Sequence, residues 1–164
     1  MAWTEPPRTW VASEVVTAAM MNTHVRDQLK AIGDPWTSFG AAATHWTATT
    51  TNPTIGNGTF TAAYMQAGKL IHFRIRIVFG STTTVGSGSY LFGLPVNGQG
   101  FNTPLLCTAM LYDSSGSART MSQAYMNSAT QIVLNTGTAN VTHAAPIAWA
   151  TSDVIAIAGT YEAA

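Results

Sequence analysis

The sequence predicts a mainly β protein: a jelly-roll-like β-sandwich preceded by a short helix and an extended N-terminal arm. Three observations carry this reading. Charged residues make up 9% of the 164-residue chain and hydrophobic ones 46%, where an ordinary domain is about 25% charged. Thr, Ser, Asn and Gly take the place of charge, and Thr suits strands while Gly and Asn suit turns. Residues 70–79 alternate strictly, with Ile71, Phe73, Ile75, Ile77 and Phe79 on one face and His72, Arg74 and Arg76 on the other. That period of two belongs to a half-buried strand. Beyond residue 44 the chain shows only short strands, with turn signals roughly every 8–12 residues, as sandwiches do.

Residues 1–16, MAWTEPPRTWVASEVV, read as an extended attachment arm. Pro6 and Pro7 keep it out of helix and restrict the residue before each. Trp3, Pro6, Pro7, Arg8 and Trp10 are its candidate contact residues. Tryptophans on a free arm are costly in water, so the arm either folds back on its own domain or docks on a neighbouring protein.

Residues 17–33 form a short helix. Thr17 is a good N-cap after Val15 and Val16, Gly33 stands at the C′ position, and Pro35 bars continuation. Met21, Val25, Leu29 and Ile32 make one apolar stripe, with Arg26, Asp27 and Lys30 elsewhere. The spacing suits a heptad seam, but two heptads do not sustain a coiled coil alone. The stripe packs either on the β-domain or in a short bundle around an oligomer axis.

Residues 34–43 are a linker rich in Pro, Gly and Ala, and residues 44–164 are the β-domain. Its expected strands are 45–50, 59–67, 70–79, one ending at 94–95, 104–112, 118–126, 131–134 and 154–161. Asn57–Gly58 and the Ala-Gly-Lys at 67–69 are tight-turn signals, and DSSG at 113–116 predicts a hairpin. Residues 80–89, GSTTTVGSGS, read as a long flexible connection without the Lys-Ser/Thr ending of a phosphate loop. In 154–161 both faces are apolar, so that strand is expected to be buried on both sides.

No catalytic set emerges. From residue 35 onward the acids are Asp113, Asp153 and Glu162, which supply no convincing glycosidase pair. His143 and Asp153 could be drawn into a triad with some serine, but the nucleophile elbow is absent. The four histidines are isolated and no Cys-x-x-Cys occurs. The expectation is therefore no enzyme, no cofactor and no metal. Cys107 is alone, so no intrachain disulfide forms, and its apolar surroundings predict a buried, inert thiol. Trp46, Tyr64, Tyr90 and Trp149 serve either a carbohydrate-binding face or the core.

Zero net charge and a pI near 6.9 argue against nucleic-acid partners, which need a basic face, and against an anionic membrane surface. No apolar run approaches the roughly 20 residues of a membrane span, so no membrane insertion is expected. The first ten residues lack a signal-peptide pattern, which places synthesis in a cytoplasm. Net charge near zero promotes association, so much of the surface is expected to be covered in an assembly.

Two stretches carry a resemblance. Residues 7–29, PRTWVASEVVTAAMMNTHVRDQL, resemble the N-terminal motif of small tail and fibre proteins of bacteriophages that infect actinobacteria. Residues 49–95 resemble the start of a β-domain found in phage minor tail proteins, fibres and spikes. Ser13 departs from the motif, which has glycine there. The resemblance implies a virion structural protein on the tail or capsid surface: a homotrimer with a jelly-roll-like tip, held to other virion proteins by the arm and helix, with a host-surface glycan as a further partner. A capsid decoration or head-fibre protein of the same build and a carbohydrate-binding module are the alternatives. In the trimer, Met21, Val25, Leu29, Ile32, His72, Arg74 and Arg76 are the candidate subunit-contact residues.

Overall fold

The computed structural model describes residues 8–27, 29, 36–100 and 106–164. The fold is mainly β. Its strands are β1 (Thr37–Ser38), β2 (Trp46–Ala48), β3 (Thr59–Ala67), β4 (Leu70–Val78), β5 (Tyr90–Gly93), β6 (Leu106–Asp113), β7 (Ala118–Ser128), β8 (Gln131–Asn135) and β9 (Val154–Glu162). All nine join one antiparallel sheet in the order β1-β3-β4-β9-β6-β7-β8-β5-β2. The pairing is continuous and does not divide into the two sheets that a jelly roll implies.

The order forces the sheet to curl. β1 and β2 are its opposite edges, yet only residues 39–45 join them. Laid flat, nine strands span about 38 Å at the usual spacing. The joining segment reaches at most about 28 Å fully extended, and its helical turn Ala42–His45 shortens it further. The two edges must therefore approach one another. Phe39 lies at the join, with its ring 5.4 Å from that of His45 and 5.8 Å from that of Tyr64. Gly40 sits against the His45 ring with φ +65°, where a Cβ would collide.

The inner face is the core. Ile71, Phe73, Ile75 and Ile77 are at most 1% exposed, as their alternation predicts. Register sets Ile75 beside Ile157 and Ile77 beside Ile155 of β9, and Leu111 of β6 joins them from beyond β9. Each buried side chain of this size contributes about 1.5–3 kcal/mol. At one end an aromatic cluster fills the curl: Trp46 meets Phe79 and Tyr90 edge-on, and Trp149 stacks on Phe79 at 4.9 Å.

Several expectations are corrected. The helical stretch is irregular: α1 (Ala18–Met21) passes into a π-helical turn, Asn22–Arg26, and Asp27 and Leu29 beyond it are again α-helical. Thr17 does cap it, its Oγ1 accepting the Met20 N–H at 3.2 Å. Gly33 and Pro35 lie outside the described residues. The expected linker 34–43 contributes β1, whose Thr37 and Ser38 pair with Tyr64 and Ala63. β9 is buried on one face only: Ile155, Ile157 and Tyr161 point inward, while Ala158 is exposed. Its outward alanines are apolar but too small to signal a core. Residues 80–89 are fastened, not loose. Asn57 Oδ1 accepts from both the N–H and the Oγ1 of Thr82, Asn57 Nδ2 donates to Ser81, and Thr83 Oγ1 donates to the Ile55 carbonyl.

The predicted hairpins form. Ala67 pairs with Leu70, and Gly68 between them takes φ +59°, a value that two-residue hairpin turns favour in glycine. At the β6–β7 turn, Asp113 Oδ1 accepts from the Ser115 and Gly116 N–H groups. Asp153 ties this turn to β9. It is wholly buried and accepts from Ser114 N–H at 2.8 Å, Ser114 Oγ at 2.9 Å and Ala150 N–H at 2.8 Å. Replacing Asp153 with Ala leaves these donors without their acceptor. The expected loss is about 1–3 kcal/mol, read as a lowered midpoint in urea unfolding, with Asp153→Asn milder.

Candidate functional site

Two regions gather the residues that the sequence marks for assembly. The first is the N-terminal segment. Val11–Glu14 is a turn closed by Glu14 N–H to the Val11 carbonyl, with Glu14 also accepting from the Val11 N–H and pairing with Arg8. Ser13 makes the turn possible by adopting φ +64°. This left-handed backbone is one that glycine adopts more readily than serine. A turn thus interrupts the stretch expected to be extended. The Arg8 guanidinium lies 5.0 Å from the Trp10 ring centre, and Trp10 meets His24 edge-on at 6.4 Å.

The segment turns apolar side chains to the outside. Val11 is 69% exposed, Val15 81% and Leu29 65%, and Trp10, Val16 and Met21 are exposed as well. No residue of the helical stretch is buried. Of the predicted stripe, Met21 and Leu29 are exposed and Val25 is half-buried. Trp3, Pro6, Pro7 and Ile32 lie outside the described residues.

The second region is the outer face of β4. Arg74 and Arg76 are exposed and His72 is half-buried. Trp36, immediately before β1, covers part of this face. Its ring lies 5.2 Å from that of His72, and the Arg74 guanidinium sits over it at 4.3 Å. Among the described residues the ion pairs are Arg8–Glu14 and Arg26–Asp27, so Arg74 is held by an aromatic ring and not by a carboxylate. Sequence reasoning missed Trp36. The sequence offers no signal of that position, because only the β1–β3 pairing carries it across to β4.

The remaining candidates are engaged in the fold. Trp46 and Tyr90 are wholly buried, and Tyr90 donates its hydroxyl to the Val85 carbonyl. Trp149 stacks on Phe79 and donates Nε1 to the Thr142 carbonyl at 2.8 Å. Tyr64 packs against the core. These four therefore do not make an exposed aromatic row. His143 Nδ1 accepts the Gly88 N–H, while Asp153 is taken up by Ser114 and Ala150, so the drawn triad pair has other partners. Among the described residues no group of three His, Cys, Asp or Glu is placed to hold a metal ion, and no helix is long and apolar enough to cross a membrane. No protein-family model, curated protein or solved structure matches the chain.

Two titrations follow from the surroundings. Hydrogen bonds from the Ser115 hydroxyl and the Gly116 N–H hold the Asp113 carboxyl below its ordinary value. Its contribution to stability is present above the unfolded value, about 3.9, and is lost as pH falls through the lower folded one. An Asp113→Ala variant is expected to lose less stability than the wild type between pH about 4 and the acid limit, measured by unfolding at stepped pH. Burial pushes the Cys107 thiol up to about 12. The proton-bound thiol favours the fold fully below the unfolded value, about 8.5, and this advantage is lost as pH rises towards the folded value. At mildly alkaline pH an aromatic disulfide reagent is expected to label Cys107 only after denaturant is added.

Proposed function

We propose that the chain is a non-enzymatic structural protein of a bacteriophage particle, a homotrimer at the tail tip or in a fibre. The N-terminal segment anchors it to neighbouring virion proteins, and the β-domain projects outward to meet the host surface. One observation carries this reading: Trp10, Val11, Val15, Val16, Met21 and Leu29 are exposed, while the β-domain has a full core of its own. Singly exposed apolar residues are ordinary, but a run of them on one small segment marks a surface meant for a partner. The trimer and the virion setting rest on the resemblance of residues 7–29 and 49–95. The burial of Trp46 and Tyr90 favours this reading over the carbohydrate-binding module.

The full chain is expected to sediment as a trimer at micromolar concentration, and Met21→Asp with Leu29→Asp to shift it towards monomer. A wild-type chain that sediments as a folded monomer overturns the assembly. A tagged protein imaged on particles is expected at the tail. Labelling confined to the capsid faces replaces the tail assignment with the decoration-protein reading.

A further inference from the structure

A groove of about 660 Å³ opens on the outer side of the sheet beside β1. Among the described residues its lining combines Ser38, Thr61, Arg74 and Arg76 with Phe39, Phe60 and small alanines, and holds no acidic residue. Register explains its shape. Arg74 stands between Ala63 of β3 and Ala158 of β9, and Arg76 between Thr61 and Ala156. Each long cationic side chain is thus flanked by short neutral ones, which leaves a low floor with two guanidiniums rising from it. Two residues apart on one strand, their Cα atoms are roughly 7 Å apart. That separation lets both reach one ligand.

Arg74 is positioned for this in advance. Its guanidinium sits over Trp36, which restrains the side chain while the in-plane N–H groups of a stacked guanidinium stay free to donate. Guanidinium forks fit carboxylate and phosphate oxygens. Ser38 and Thr61 line the same groove. An open groove with two guanidiniums among small neutral side chains takes a segment of a hydroxylated acidic chain, not an enclosed apolar molecule.

We propose that this groove binds an acidic saccharide or polyol chain, with Arg74 and Arg76 holding its oxyanion, a carboxylate or a phosphodiester. The inference deepens the host-surface role proposed above and rests on it. Binding by the soluble protein is read independently of where the protein sits on the particle, so the two fail separately.

Calorimetric titration of the full chain at low salt tests it with three probes: oligogalacturonate, a glycerol-phosphate oligomer and a neutral dextran oligomer. At least one acidic probe is expected to bind, with the neutral one silent, and the acidic probe that binds identifies the oxyanion. The double variant Arg74→Gln, Arg76→Gln should weaken binding roughly tenfold or more, with Trp36→Ala less severe and high salt also weakening it. Both arginines are exposed, so the double variant is expected to keep the wild-type circular dichroism spectrum. Binding of neither acidic probe, equal binding by the double variant, or equal binding of dextran overturns the proposal. So does a double variant that loses the wild-type oligomeric state, because the face is then a subunit contact.

Discussion

The two edges of the sheet are held by one short segment, residues 39–45, and the rest of the β-domain follows from that tether. A sheet of nine strands cannot stay flat when its edges are leashed together, so it curls and one face becomes an interior. The alternation of Ile71, Phe73, Ile75 and Ile77 then acquires its meaning, since all four point into that interior. The same curl brings Trp46 of an edge strand against Phe79 and Tyr90. The closure also leaves β4 with an outer face of the opposite character. Core and groove are two sides of one strand, separated by the pleat.

Much of this was legible because it is local. The β4 alternation, the DSSG hairpin and the Thr17 cap each depend on a few neighbouring residues, and each formed as expected. Relations between distant segments were not legible. Nothing in Trp36 itself says that it will cover His72 and Arg74, because that requires the pairing of β1 with β3. The threonines of residues 80–89 look like those of any loose loop until Asn57 is brought alongside. β9 was misread for another reason: hydropathy counts alanine as apolar, yet the outward Ala158 is exposed. The helix stripe was seen, but its burial was left open by the sequence. Met21 and Leu29 are exposed.

Ser13 shows how a departure from a motif becomes informative. A serine in a place where glycine is expected leaves the turn in doubt at the level of sequence. With φ +64° at Ser13, the backbone takes a conformation that favours glycine, and serine meets it at some cost. The turn is then held by Glu14, which closes on Val11 and pairs with Arg8.

The distribution of ionic contacts divides the molecule by its response to surroundings. Among the described residues the ion pairs lie in the N-terminal segment, whereas the loops of the β-domain are stitched by neutral hydroxyl and amide groups such as Thr54, Thr82, Thr83, Thr84 and Asn57. Ions screen the former and pass the latter by. A change of ionic strength is therefore felt more in the N-terminal segment than in the hydroxyl-stitched loops of the β-domain.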